Sequence, residues 1–335
     1  MQNDTFDPIY FNGLACRIME ISSIENKLYQ LGVPEEALKR YEEPHRFYHT
    51  LDHLEDIFQQ LSDRSLIENE ALLLATVYHD IIYDPRSSTN EEDSARYFNE
   101  TYTGSEALKQ EVTTIILDTK DHNATTELSA IFSEIDLSIL NQPLSKLMVY
   151  EHQIFKEFQF VDYSIYKAKR IEVLKALKQQ VNNPDLDALI TYVEHRQPQI
   201  AVYPGSFNPF HKGHYNILQK AEHVFDKVII ARGINAAKAP SIHEMPAALA
   251  YRQQESYSGL LTDFVDSLNY PLTIIRGLRN STDLQYELNQ YRYMQDLSNK
   301  PLNIISIFCD REFEHISSTG IRQLEGYGQA GQYLL

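Results

Sequence analysis

The chain has 335 residues, a formal net charge of −17 and 43% hydrophobic residues. These values exclude global disorder and leave no basic excess to neutralise nucleic-acid or anionic-lipid phosphates. The length predicts two domains, and two cysteines without metal spacing, Cys16 and Cys309, argue against a disulfide framework. The polar, acidic start has no signal-peptide pattern, and the apolar runs are too short to cross a bilayer. The cytosol is therefore the expected compartment, with neither membrane nor nucleic acid as a partner.

Up to about Val193 the pattern is helical. Helices are predicted over Phe11–Leu31, from Pro34, and over Thr50–Leu61, Asn69–Ile82, Asn90–Thr101, Glu106–Leu117 and Leu128–Leu140. A long helical stretch of unplaced breaks follows over Leu144–Val193. Three places in this half carry chemistry. His49 and His53 are one helical turn apart and share a face. His79-Asp80 ends an apolar helix, and Asp136 interrupts an apolar helical run. Charges there are costly without a shared partner. Imidazoles and carboxylates from three helices make a mixed nitrogen–oxygen site for a divalent transition metal or Mg²⁺.

This H…HD…D arrangement, over roughly residues 41–160, resembles the HD superfamily of metal-dependent phosphohydrolases. The resemblance implies His49, His79, Asp80 and Asp136 as ligands of Mn²⁺, Fe²⁺, Ni²⁺ or Mg²⁺. It places His53 and His122 in the same cavity or at a second metal, and Glu43, Arg46 and Lys120 against a substrate phosphate. A catalytically silent regulatory module is the other reading of this half.

Glu194-His-Arg-Gln-Pro-Gln199 is a polar connection, so the expected domains are 1–195 and 199–335. Beyond it strands alternate with helices. Strands are predicted at Ile200–Tyr203, Lys227–Ala231, Leu272–Arg276 and Asn303–Phe308, and a helix over Tyr215–Phe225. The expected fold is thus an all-α domain followed by an α/β Rossmann-like domain with a parallel sheet, its ligand crevice at the carboxyl ends of the strands. The motifs sit at those ends: Gly205-Ser-Phe-Asn-Pro-Phe-His-Lys-Gly-His214, then Arg232 to Lys238, Arg276-Gly-Leu-Arg279 with Asp283 and Glu287, and His315 to Arg322. A strand, a glycine turn and a helix start make a phosphate-binding layout.

The first motif resembles the signature of the nucleotidyltransferase superfamily. With RGLR and the following D-x-x-YE, residues 199–333 look most like phosphopantetheine adenylyltransferase. That family makes dephospho-coenzyme A and diphosphate from ATP and 4′-phosphopantetheine. The resemblance implies His214 and Lys238 as catalytic residues. It implies ATP contacts at Ser206, Phe207, His211, His214, Gly277, Leu278, Arg279, Glu287, Phe313, Ser317, Ser318 and Thr319. Phosphopantetheine contacts are implied at Ser206, Lys238, Leu261 and Arg276, with Mg²⁺ offsetting phosphate charge. Asn208-Pro-Phe-His211 is closer in wording to nicotinate or nicotinamide mononucleotide adenylyltransferases, which makes that activity the alternative. A homo-oligomer is compatible with the resemblance, although Leu335 falls where the family has a further packing helix.

Overall fold

A computed structural model describes residue 24 and residues 26–234, 243–298 and 300–335. Most of the expected helix at Phe11–Leu31, together with Cys16 and Lys238, lies outside the described residues. The described chain forms two compact units. One runs up to Glu157 and takes back Leu177–Leu189; the other is Phe158–Ala176 with Ile190–Leu335.

The first unit is helical. Its elements are α1 (Glu35–Lys39), α2 (Leu51–Asp63), α3 (Glu70–Tyr78), α4 (Asn90–Thr101), α5 (Glu106–Asp118), α6 (Glu127–Asp136) and α7 (Leu144–Glu157). Helix α3 is apolar on every side, and Ala71 to Tyr78 are all buried, so it forms the centre of the bundle. The Asn69 side chain caps it by accepting from Leu72 N at 3.0 Å. Helices α2 and α5 pack on it. Thr126 and Ser129 form a reciprocal cap that starts α6. Expected and observed helices agree within a few residues, except that α3 stops at Tyr78, before Ile82. The stretch 144–193 resolves into α7, α8 (Tyr163–Leu177) and α9 (Asp185–His195).

The second unit carries a five-stranded sheet: β1 (Ile200–Gly205), β2 (Lys227–Gly233), β3 (Gln254–Tyr257), β4 (Leu272–Leu278) and β5 (Asn303–Phe308). The order is β3-β2-β1-β4-β5 and every pairing is parallel. Helices α10 (Lys212–Glu222), α11 (Leu261–Ser267), α12 (Ser281–Leu297) and α13 (Ser318–Glu325) accompany it. Strand β3 is an addition to the expected set. The chain runs outward from β1 to β3, then returns to β4 on the other side. The direction of winding reverses between β1 and β4, where such sheets open a crevice at their carboxyl ends. Ala201, Tyr203, Ile217, Leu218, Ile230 and Ile275 fill the core between the sheet and α10.

Candidate functional site

At the reversal point a cavity of about 320 Å³ opens beyond the ends of β1 and β4. Two glycines let its walls approach. A Cβ on Gly205 would lie 2.6 Å from the Phe207 ring, and one on Gly277 would meet Tyr203 Oη and Ile217 Cγ1 at 3.2 Å. Phe207 turns the chain out of β1 at φ +44°, a strained conformation for an aromatic residue. It is buried between Tyr203 and Phe210.

The two histidines of the loop cap α10 reciprocally. His211 Nδ1 accepts from His214 N, and His214 Nδ1 accepts from His211 N, both at 3.3 Å. Their rings stack with centroids 3.6 Å apart. With Nδ1 accepting on each ring, the neutral tautomer carries its proton on Nε2. Burial, and then the nearby Arg279 charge, pulls His211 down to about 4. Burial likewise holds His214 well below its ordinary value, helped by His211 and Arg279. Near neutral pH the helix start therefore offers two uncharged Nε2–H donors and a positive dipole end, an arrangement suited to an anion.

The opposite wall comes from β4 and α12. Arg279 makes a forked pair with Asp283, its Nε 2.8 Å from Oδ2 and its Nη2 3.0 Å from Oδ1. Arg276 Nε bonds Glu287 Oε2. Phe313, Ile316, Ser317 and Ser318 close the third side. Ser317 caps α13 by accepting from Gly320 N, and Ser318 Oγ donates to Pro209 O at 3.0 Å.

The cavity thus gathers His211, His214, Gly277, Leu278, Arg279, Glu287, Phe313, Ser317 and Ser318 from the expected set. Ser206, Phe207, Leu261, Arg276 and Thr319 do not line it. Ser206 is exposed beside the loop, Phe207 supports the His214 ring from below, and Leu261 opens α11. Arg276 reaches the site through Glu287, and Thr319 accepts from Arg322. Lining residues missed in the sequence are Tyr203, Gly213, Ile217, Asp283, Tyr286 and Cys309. Asp283 and Tyr286 follow RGLR at helical spacing, a signal that was present in D-x-x-YE.

A second cluster lies in the helical unit. His53, His79 and Asp136 bring ligand atoms within 4.8 Å of one another. His53 Nε2 is 3.2 Å from both His79 Nε2 and Asp136 Oδ1. Asp80 Oδ2 is 3.0 Å from His79 Nε2 and 3.9 Å from His49 Nε2. Burial opposes ionisation of Asp80, but the His79 and His49 charges outweigh it and hold the carboxyl far below its ordinary value. The tightest group therefore takes His53, with His49 one step further out. His122 Nδ1 stands 4.0 Å from Asp136 Oδ2 and is buried without a hydrogen-bond partner among the described residues.

The outward nitrogens are held. His79 Nδ1 donates to Thr76 O at 3.0 Å. His49 Nδ1 bonds Glu157 Oε2 at 2.7 Å. Glu157 Oε1 accepts from the backbone N–H of Phe47, Tyr48 and His49, and Tyr83 Oη donates to Oε2. Burial would raise the Glu157 carboxyl; His49 and these hydrogen bonds lower it to about 2. Fixing one nitrogen of each ring aims the other at the cluster, as around metal-binding histidines. Three imidazoles with two carboxylates fit a divalent transition metal better than Mg²⁺, which prefers oxygen. Arg46 and Lys120 are committed elsewhere. Arg46 donates to Glu43 and to the carbonyls of Asp80 and Ile81, while Lys120 donates to Glu92 and Ser88 O.

Comparison with known proteins bears on the sheet-containing part. Residues 202–324 match the family described as cytidylyltransferase-like. Phosphopantetheine adenylyltransferase of Mycoplasma capricolum subsp. capricolum is 34% identical over 139 residues, covering 38% of this chain and 98% of the relative. The Lawsonia intracellularis protein of the same name is 34% identical over 149 residues, covering 41% of this chain and 83% of the relative. A solved bifunctional NMN adenylyltransferase/ADP ribose pyrophosphatase from Francisella tularensis aligns at TM-score 0.28 and 19% identity, over 41% of this chain and 44% of that one. Among the described residues, no helix is long and apolar enough to cross a membrane. Coverage of nearly a whole relative at 34% identity shows that the C-terminal part of the chain belongs to the phosphopantetheine adenylyltransferase family of nucleotidyltransferases.

Proposed function

We propose that the C-terminal part, residues 199–335, transfers AMP from ATP to 4′-phosphopantetheine, giving dephospho-coenzyme A and diphosphate. The observation that carries this reading is the pair of neutral, mutually capped histidines facing Arg279 across the cavity. The acceptor phosphate is already a nucleophile, so the reaction needs alignment and charge stabilisation rather than a base. His214 and His211 donate Nε2–H to the α-phosphate region as charge builds there. Arg279 and the Ser317 and Ser318 hydroxyls hold the outer phosphates. Arg276, Ser206, Leu261 and Lys238 are assigned to the acceptor, with Lys238 as the second catalytic cation. Mg²⁺ would offset phosphate charge. The lining carboxylates Asp283 and Glu287 are taken by arginines, so the ion is assigned to the nucleotide phosphates rather than to protein ligands.

Asn208-Pro-Phe-His211 favours pyridine mononucleotides as a second reading for the acceptor. Supplying ATP and Mg²⁺ with each acceptor in turn, and following diphosphate release, separates the two.

For residues 1–195 we infer a metal-dependent phosphohydrolase of the HD kind, supported by the converging His53, His79, Asp80 and Asp136 with His49 beside them. A bound ion there would lower the pKa of a coordinated water. The chain's own part is to hold the five side chains and keep His49 and His79 in one tautomer. Phosphatase assays of the full chain with Mn²⁺, before and after Asp136→Asn, test this. A cluster that binds Mn²⁺ without turnover would assign the domain a regulatory role.

A further inference from the structure

The second unit has another cavity, of about 780 Å³, at the opposite end of the sheet from the histidine loop. Its floor is the amino ends of three strands, at Ile200, Leu272 and Asn303. Its wall is one face of α8, where Tyr163, Ser164, Lys167, Ala168 and Ile171 recur at helical spacing. Helix α8 lies outside the family match at 202–324, so relatives of the transferase part do not account for it.

The lining has two properties. In a chain of net charge −17, no aspartate or glutamate among the described residues lines this cavity, whereas Lys167 and Arg196 both do. Asp162 and Asp226, next in sequence to the lining residues Tyr163 and Phe225, are occupied: Asp162 accepts from Tyr270 Oη and Ser164 N, and Asp226 accepts from Gln199 N and Arg196. The rest of the lining is uncharged: Ile171, Ile200, Phe225, Leu272 and the rings of Tyr163 and Tyr270 give it apolar and aromatic surface, and Ser164, Gln197, Gln199, Asn269, Thr273 and Asn303 add neutral polar groups. The two tyrosine hydroxyls are spent on Arg196 O and Asp162, so the tyrosines offer ring surface. The volume is that of a small-molecule site.

We propose that this cavity binds a small organic anion with an apolar or aromatic body, its acid group at Lys167 and its body against Ile171, Phe225 and the tyrosine rings. The site is separate from the transfer crevice, about 17 Å away along β1 at ordinary strand rise. Its occupancy does not depend on which acceptor the transferase uses.

Anilinonaphthalene sulfonate, an anion on an aromatic body, is the probe, titrated into the full chain by fluorescence with its neutral relative phenylnaphthylamine as control. The expected result is one saturable sulfonate site per chain. Ala168→Trp, which fills the cavity from the exposed face of α8, should abolish it. Lys167→Glu should weaken it about tenfold or more while leaving the neutral control unchanged. Both positions are on the helix surface, so the fold should tolerate the changes. Sulfonate binding that survives Ala168→Trp would overturn the location. Binding indifferent to Lys167→Glu would overturn the anion chemistry.

Discussion

Each loop histidine answers two demands at once. His211 and His214 satisfy the orphan amides at the start of α10, and that bond fixes which nitrogen faces the ligand. A transition-state donor of this kind is worth about 3–4 kcal/mol. His214→Ala should therefore lower kcat by about 100- to 1,000-fold while changing the ATP KM much less. A rise in KM with kcat intact would mean that the ring binds ATP and its transition state equally. The depressed acidity of His211 also predicts a pH effect on stability. Its pKa is about 4 in the folded chain, against an ordinary value near 6.5. The unfolded chain then binds more protons between those values. Stability from this group is complete above pH 6.5 and drains away as pH falls toward 4. Melting curves of His211→Asn, which keeps a capping side chain, should lose less stability over that window than the parent does. An identical loss would mean that the His211 ring titrates normally.

At the level of elements, close approach and outer support decide what the sites tolerate. Strand β4 lies against α10 through Gly277, where a side chain meets Tyr203 and Ile217. Gly277→Val should cost about 1–3 kcal/mol in denaturant unfolding and should narrow the cavity. An unchanged midpoint would show that α10 moves aside freely. In the helical unit, Glu157 at the end of α7 holds His49 and three amides of the segment before α2. Glu157→Gln should weaken Mn²⁺ binding by about 10–100-fold in calorimetry, although Glu157 lies outside the cluster itself. Equal affinity would limit His49 to a bystander.

The helices were readable because apolar periodicity and caps agree, as at Asn69 before α3 and Ser105 before α5. The breaks between α7, α8 and α9 were not, because the separating segments hold Phe158, Val161 and Val181 and keep an apolar rhythm. Strand β3 was missed because Gln254-Glu-Ser-Tyr257 is four polar-rich residues on a sheet edge. The histidines and RGLR were legible as motifs. The forked Arg279–Asp283 pair and the precedence of His53 over His49 depend on side-chain directions that spacing does not give.

For the molecule as a whole, no residue of the His53–His79–Asp136 cluster lines the transfer cavity, and each site lies in its own unit. Asp136→Asn should consequently abolish metal binding and leave adenylyl transfer within about twofold, since sites without shared partners behave additively. Loss of transfer in a folded variant would make the helical unit a regulator of the transferase. The identity of the transfer itself is tested most directly by mixing the full chain with ATP, Mg²⁺ and 4′-phosphopantetheine, and identifying the products by mass. Dephospho-coenzyme A and diphosphate are expected in equal amounts, strongly reduced in His214→Ala. Adenylylation of nicotinate or nicotinamide mononucleotide, with 4′-phosphopantetheine recovered unchanged, would contradict the assignment.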